Sequence, residues 1–483
     1  MLPTDRFPLI TESGHRLLQR LLEHPRAPRY THPGYNRLTP EGMRRAREFA
    51  VELRDAPPNW AHGEVPHWLK EFVEQCYRDV PIYRRDGPTP AILSAAEGFF
   101  DLPTLSRADL NREPWTFVPD SQPLDGLVVY NTSGTTGHPL DILTHADTLA
   151  LYVPLLRAAL AAHGLTLEGG AERVAIVLVC FQKKTYTYVA ISAVLDQAGF
   201  VKINLNPDEW RDPADRVRFL DECAPEIITG DPLAFQQLAD LPGLRTRPKA
   251  LVSTAMALTP GLAQALEEHF SCPVLDVYST NESGPIGVKV PSVEVSSAMS
   301  PSLTPDTPTR DAYMLLQPHL YVEILDSDGV PCPPGERGEI TLSGGFNPFL
   351  PLLRYRTGDY AALEFRGVPG RHTGRHSGRH MGLPLLVGLE GRPPVVFHAA
   401  DGRPINNVDV SIALRPFPIA QYALHQSADG ALHLIVRSAG VTLGQLREAM
   451  LELFGANQAL NVEEVDRLDV PGGKLVQYTS DLA

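Results

Sequence analysis

Apolar residues along the chain first fall into order near position 66. Over 66–80 they stand at Leu69, Phe72, Val73, Cys76, Tyr77 and Val80. Steps of three and four bury one face of a helix. Pro66 suits its first turn, and Pro81 marks its end. Residues 1–60 are rich in Pro and Arg and weakly periodic, and read as an extension wrapped on the main body. From Arg173 onward strands and helices alternate. The uninterrupted apolar run at 174–179 has the character of a strand buried on both faces. The spacing then predicts a helix over 186–197, a short strand over 200–205 and a helix over 212–223. EIITG (226–230) and KALVST (249–254) read as further strands. Thr259 and Pro260 are good N-cap and N1 residues for a helix through Phe270, and PVLDVY (273–278) closes the run. This rhythm predicts a largely parallel sheet with helices over its faces.

The pattern changes after Pro318. YVEILD (321–326), GEITLS (338–343) and YAALEF (360–365) are strands separated by turn-rich segments without helices, the mark of antiparallel pairing. From Pro393 it changes again. ALHQSADGALHLIV (423–436) reads as two strands around Asp429-Gly430, followed by a helix over 443–453 and a strand at Val462. The expected fold is therefore α/β. It comprises an extension (1–60), a large domain with mainly parallel sheets and helices on the faces (61–317), an antiparallel β subdomain (318–392) and a small α+β C-terminal domain (393–483).

Composition narrows the function. Hydrophobic residues make up 43% and charged residues 21%, a globular mix. Lys and Arg number 43 against 57 Asp and Glu, a formal charge of −14. That argues against a nucleic-acid partner but leaves room for a local basic site. No run of eighteen apolar residues occurs, so no membrane span is expected. MLPTDRFPLITESGHRLL has no basic segment leading into an apolar one, so no secretory leader is expected either. The five cysteines, Cys76, Cys180, Cys223, Cys272 and Cys332, are scattered and never form a CxxC pair. They read as free thiols of a cytoplasmic protein, not as a disulfide framework or a zinc site. GRHTGRHSGRHM (370–381) repeats a Gly-Arg-His unit and reads as a surface loop grown by repeat expansion.

VVYNTSGTTGHP (128–139) carries the strongest chemical signal. Apolar residues lead into a run of glycines and hydroxyl side chains. Consecutive backbone N–H groups and four hydroxyls in such a loop can surround a polyphosphate. The Walker pattern is absent.

TSGTTGHP resembles the phosphate loop of the acyl-adenylate-forming (AMP-binding) superfamily. The flanking segments resemble its phenylacetate–CoA ligase branch. Upstream are FVEQCYRDVPIYRR (72–85) and LPTLSRADL (102–110). Downstream are DVYSTNESGPIG (276–287), LRYRTGD (353–359), LEGRP (389–393) and PGGKLVQ (471–477). They follow the family's order over some four hundred residues of this chain. The resemblance implies activation of a carboxylic acid with ATP to an acyl-adenylate and pyrophosphate, then transfer to CoA.

It also assigns residues. Thr132, Ser133, Gly134, Thr135, Thr136, Gly137 and His138 would surround the phosphates. Glu282 would hold Mg²⁺, which prefers a few carboxylates plus phosphate oxygens. Tyr278 would pack beside the adenine or the acyl carboxylate. Asp359 would accept hydrogen bonds from the ribose hydroxyls, and Arg392 would add charge nearby. Lys474, on a mobile C-terminal lid, would approach the α-phosphate during attack. Phe181, Tyr186, Tyr188 and Ser279 would line an acyl pocket suited to a flat aromatic acid. Lys183 and Lys184 there could pair with an acidic substituent or with CoA phosphates.

The chain departs from the family at three places. His138 replaces a fixed cation, Ser279 replaces glycine, and Pro393-Pro394 follows the Gly-Arg where relatives carry an acidic hinge residue. Amide formation, carrier-protein loading and an inactive nucleotide-binding homologue are the alternatives. A monomer and a homodimer fit equally.

Overall fold

The computed structural model describes residues 2–85, 97–131, 140–182, 185–290, 311–366, 383–391, 395–438, 440–465 and 476–482. Strands β1 (Leu127–Asn131) and β2 (Asp141–His145) pair antiparallel as a ribbon of their own. The next seven are β3 (Val174–Cys180), β4 (Tyr188–Ser192), β5 (Ala198–Asn204), β6 (Ile227–Gly230), β7 (Ala250–Ser253), β8 (Val274–Thr280) and β9 (Gly284–Val290). After them come β10 (Ala312–Leu315), β11 (Leu320–Leu325), β12 (Arg337–Gly344), β13 (Leu352–Arg366) and β14 (Leu383–Gly391). β15 (Val396–His398) and β16 (Pro404–Asn406) form a small ribbon. β17 (Ile419–Gln426), β18 (Leu432–Ser438), β19 (Leu460–Glu464) and β20 (Tyr478–Ser480) make a separate four-stranded sheet.

The α/β expectation holds, with the parallel and antiparallel regions joined in one twelve-stranded sheet. Its order is β11-β12-β13-β14-β10-β9-β8-β7-β6-β3-β5-β4. β8, β7, β6, β3 and β5 run parallel. β9 turns back on β8, and every pairing from there to β11 is antiparallel. The antiparallel half of the sheet thus begins at β9, upstream of position 318, and the edge strand β4 also runs antiparallel, to β5.

Burial explains the layers. Val177, Val179, Val201 and Ile203 on one face of the parallel strands meet Leu17, Leu18 and Leu21 of the helix Glu12–Leu22. Ile176 and Ala198 on the other face meet Leu155 and Ala159 of the helix Tyr152–Ala161. The helix Pro260–Phe270 starts as the sequence predicts, with the Thr259 side chain accepting from the Leu262 N–H. Pro66 takes the N-cap of the helix His67–Asp79, one position ahead of its first turn.

One expected element is different. The helix expected over 186–197 is β4 followed by a short 3₁₀ turn, Ala193–Leu195. Val189 and Ile191 point into the same core as Val201 and Ile203, while Tyr188 pairs across to Lys202. A period of two with β-branched residues on the inner face is strand chemistry. Asp196 and Gln197, both at positive φ, then turn the chain into β5.

The N-terminal segment closes over the edge strand β4. The Thr31 and His32 N–H groups both donate to the Thr187 carbonyl, and Asn36 Nδ2 donates to the Ile191 carbonyl at 2.7 Å. A Cβ at Gly34 would lie 1.7 Å from the Val189 carbonyl oxygen, so only glycine permits this approach. Covering an edge strand removes a row of unpaired backbone groups from solvent.

The C-terminal sheet has its own core around Phe397, Leu434, Met450 and Phe454. It docks on the main domain through Gln236 Nε2 donating to the Ser438 carbonyl at 2.8 Å and an Arg415–Asp311 ion pair at 2.9 Å. Among the described residues no helix is long and apolar enough to cross a membrane.

Candidate active site

The parallel strands end at Cys180, Asn204, Gly230, Ser253 and Thr280. Ligands of open α/β sheets bind beyond such carboxyl ends. Here the tight turn from β8 to β9 carries Glu282. The Thr280 hydroxyl accepts from the Ser283 N–H at 3.1 Å. Gln317 Nε2 donates to the Ser283 and Pro285 carbonyls at 2.7 and 2.6 Å. Gly284 has a φ of +68°, and a Cβ there would lie 2.5 Å from the Phe346 ring. Both requirements select glycine.

This turn holds the Glu282 carboxylate at 6% exposure. Its Oε1 accepts from Arg107 Nη1 at 2.9 Å and from the Tyr355 hydroxyl at 3.0 Å. Arg107 comes from far upstream. Ser106 and Asp109 form a reciprocal capping box at the start of the helix Arg107–Arg112. The Leu105 N–H donates to the Arg354 carbonyl at 2.9 Å, and the Arg356 N–H donates to the Leu105 carbonyl at 2.7 Å. That backbone ladder ties the Arg107 segment to β13.

Arg354 is itself buried, paired with Glu323 through Nη2–Oε1 at 3.1 Å and Nε–Oε2 at 3.3 Å. Its Nη1 donates to the Phe100 and Leu102 carbonyls at 2.6 and 2.5 Å. Burial pushes the Glu323 carboxyl up, and Arg354 pulls it back.

Asp359 stands in β13 opposite Gly391. Its Oδ2 accepts from the Tyr278 hydroxyl at 2.9 Å. Its N–H donates to the Thr357 hydroxyl at 3.1 Å, and the Gly358 N–H donates to Glu339 Oε1 at 3.0 Å. Burial pushes the Tyr278 hydroxyl far up, and the neighbouring Asp359 carboxylate adds to it. Tyr278 is therefore a fixed neutral donor. A third tyrosine, Tyr130 at the end of β1, donates to the Asn281 carbonyl at 3.2 Å. Burial raises its pKa, and Tyr152, Glu282 and Tyr186 contribute further.

Tyr186 and Tyr188 stack with centroids 6.0 Å apart, and Tyr188 stacks on Phe200 at 5.9 Å. His32 of the N-terminal segment meets Tyr35, Tyr186 and Tyr188 edge-on or tilted, at 5.4, 5.7 and 6.2 Å. The Lys202 ammonium lies 3.8 Å from the Tyr186 ring centroid.

The structure thus groups Glu282 with the Tyr278–Asp359 pair and brings Tyr186 together with Tyr188. Ser279, partly exposed, leads into the same turn. Phe181 packs against the same core as Tyr188, with the Arg437 guanidinium of the C-terminal sheet 5.3 Å over its ring. Thr132, Ser133, Gly134, Thr135, Thr136, Gly137, His138, Lys183, Lys184, Arg392, Pro393-Pro394, Lys474 and the Gly-Arg-His repeat lie outside the described residues. Arg107, Tyr355, Tyr130, Lys202 and His32 were not singled out from sequence. The first two lie inside LPTLSRADL and LRYRTGD and had a signal to follow. His32 had none.

Comparison with known proteins gives the same picture. The family model described as AMP-binding enzyme matches residues 84–347, more than half of the chain. The phenylacetate-coenzyme A ligase of Thermus thermophilus is 24% identical over 350 residues, covering 66% of this chain and 69% of that protein. The Escherichia coli protein of the same name is 25% identical over 316 residues, covering 61% and 65%. The chain thus spans about two thirds of the length of these curated relatives. Among solved structures, a 2-hydroxyisobutyryl-CoA ligase in complex with 2-HIB-AMP shares the fold. Its TM-score is 0.57 at 16% identity, covering 86% of this chain and 88% of that one. The chain belongs to the AMP-binding enzyme family.

Proposed function

We propose that this protein activates an aromatic carboxylic acid with ATP to an acyl-adenylate, releasing pyrophosphate, and then transfers the acyl group to CoA in the cytoplasm. One observation carries the reading. Residues from three distant segments converge at the carboxyl edge of the parallel strands: Arg107, the Tyr278–Glu282 turn and the Tyr355–Asp359 stretch. A stack of aromatic rings, Tyr186, Tyr188 and Phe200, stands on β4, β5 and the segment leading into β4. The phenylacetate-coenzyme A ligase relatives support the acid and the acceptor.

In this reading Asp359 accepts hydrogen bonds from the ribose hydroxyls while Tyr278 holds its other oxygen in place. Pre-set acceptors of this kind need no reorganisation when the ligand arrives. Tyr186 and Tyr188 present flat faces to the acid. The loop residues Thr132 to His138, with Arg392 and Lys474, take the phosphates by family resemblance.

Glu282 fits a magnesium ion carried in by ATP. Its contacts among the described residues fall on Oε1, so Oε2 would be the oxygen offered to the ion. Among the described residues no group of three or more His, Cys, Asp or Glu could cage a metal. One carboxylate supplemented by phosphate oxygens and waters is ordinary Mg²⁺ chemistry. The bound ion would neutralise phosphate charge, and Arg107 and Tyr355 would keep the carboxylate aimed.

The test is ATP–pyrophosphate exchange across a panel of aromatic and aliphatic acids, followed by product analysis with CoA and separately with amines. Acid-dependent exchange and a thioester product are expected. Exchange without thioester at any CoA concentration would move the acceptor to an amine or a carrier protein. No exchange with any acid would overturn the reading.

A further inference from the structure

Lys202 is a cation in an unusual setting. It sits on β5 directly opposite Tyr188 of β4, so the two side chains share one face of the sheet. That face is the one toward the helix Tyr152–Ala161, since Phe200 on it packs with the Tyr152 and Leu155 cluster. The Lys202 side chain is half-buried, and its ammonium caps the Tyr186 ring at 3.8 Å. No carboxylate among the described residues pairs with it. By contrast Lys289 of β9 meets Asp311 at 3.0 Å, and Lys249, just before β7, meets Glu226 at 2.9 Å. Burial lowers the Lys202 pKa, and the nearby Cys180 opposes that shift.

A half-buried ammonium offers three donors. A ring face satisfies part of the charge and none of the hydrogen bonds. The surrounding surface is aromatic: Tyr186, Tyr188, Phe200 and His32. Within the reading proposed above, the reacting carboxylate lies toward Glu282 and Tyr130. Tyr186 is one of the groups that raise the Tyr130 pKa, and Tyr130 donates to the Asn281 carbonyl beside Glu282. The site therefore has a flat aromatic wall with a cation against it.

We propose that Lys202 is the specificity-determining residue of the acyl pocket, and that the substrate is an aromatic acid bearing a second, anionic group at the end remote from the reacting carboxylate. The ring of the acid lies along Tyr186 and Tyr188, and its distal anion takes the Lys202 ammonium. A neutral acid leaves that ammonium without a hydrogen-bond acceptor.

The inference rests on the acid-activating reading, and one experiment separates the two. Acid-dependent pyrophosphate release is measured with phenylacetate, 4-carboxyphenylacetate and 4-(aminomethyl)phenylacetate, on the wild-type enzyme and on Lys202→Met and Lys202→Arg. For the wild type, kcat/KM should fall from the anionic to the neutral to the cationic acid. A charged hydrogen bond should give about tenfold or more between the first two. Lys202→Met should remove that preference, while Lys202→Arg should retain most of it. A wild-type enzyme that uses phenylacetate as well as its 4-carboxy derivative would overturn the inference alone, whether or not the Met variant folds. An unchanged preference in Lys202→Met would do the same. Failure of every acid, aliphatic ones included, would overturn the acid-activating reading itself.

Discussion

The two sides of the site treat charge in opposite ways. On the antiparallel side each buried acid already holds its donors. Glu282 has Arg107 and Tyr355, Asp359 has Tyr278, and Glu323 has both ends of Arg354. Glu339 likewise accepts from Arg356 at 2.6 Å and from the Gly358 N–H. On the parallel side Lys202 faces a ring and meets no carboxylate among the described residues. The first region is set before any ligand arrives. The second leaves an electrostatic demand that a ligand can meet. Fixed donors and acceptors suit the part of a reaction common to all substrates, which in the proposed reading is the nucleotide. An unmet demand suits discrimination, because a wrong partner leaves a buried polar group unsatisfied.

The sharpest way to break this comparison is at Glu282. Glu282→Gln keeps the shape and retains an oxygen that can accept from Arg107 and Tyr355. It removes the negative charge. If that charge positions the metal-bound phosphates, pyrophosphate release should fall on the order of 10²-fold or more. Thermal unfolding should shift little, since the hydrogen bonds survive. Wild-type turnover in this variant would reduce the Glu282–Arg107 pair to a structural contact and dissolve the functional half of the contrast.

How far the sequence reveals these regions also differs. The parallel strands were legible, because strands buried on both faces write continuous apolar runs such as 174–179. The antiparallel side was legible through its motifs: YSTNES and YRTGD contain Tyr278, Glu282 and Asp359. The aromatic side was not. Over 186–197 the apolar spacing suits a helix as well as a strand, and only the pairing of Tyr188 with Lys202 across β4 and β5 decides it. Lys202 then looks like an ordinary exposed lysine in a strand. His32 reaches the aromatic stack only because the N-terminal segment folds back on β4, a contact separated by about 150 residues of sequence. No local pattern carries such information. The single sheet was hidden for a similar reason, since the β8–β9 turn that joins its halves coincides with the Glu282 motif.

The seam between the two regions gives a second test. Asp276 lies on β8, the last parallel strand, and accepts from the Tyr313 hydroxyl at 2.7 Å. Burial pushes its carboxyl up to about 6, against the Tyr313 hydrogen bond and Lys289, which pull it down. A folded pKa above the unfolded one means the folded state holds the proton more tightly. The resulting stability is complete below the unfolded value of 3.8 and is lost as pH rises through about 6. Asp276→Asn removes that loss. Relative to the wild type, its unfolding free energy should improve by about 2 kcal/mol between pH 4 and pH 7. Denaturant melts at the two pH values measure the difference directly. An equal offset at both would mean that Asp276 is ionised throughout and belongs with the fully partnered acids.

The smallest expected effect is at Tyr278, and it separates the two sides most cleanly. Tyr278→Phe keeps the ring in its core with Ile286 and Tyr313 and removes only the hydroxyl. Asp359 then loses one fixed donor. Asp359 is still held through its own backbone N–H, which donates to Thr357. The carboxylate should therefore stay near its place but turn more freely. A lost hydrogen bond of about 1 kcal/mol corresponds to about fivefold weaker ATP binding. The KM for ATP should rise by that factor, with the KM for the acid and the preference among acids unchanged. Lys202→Met should do the reverse, altering the choice of acid and leaving the KM for ATP alone. Two variants with crossed effects would establish that nucleotide and acid are read by separate parts of the sheet. If Tyr278→Phe instead raised the KM for the acid and left ATP untouched, the ring would belong to the acyl pocket, and the boundary between the two regions would move to the other side of β8.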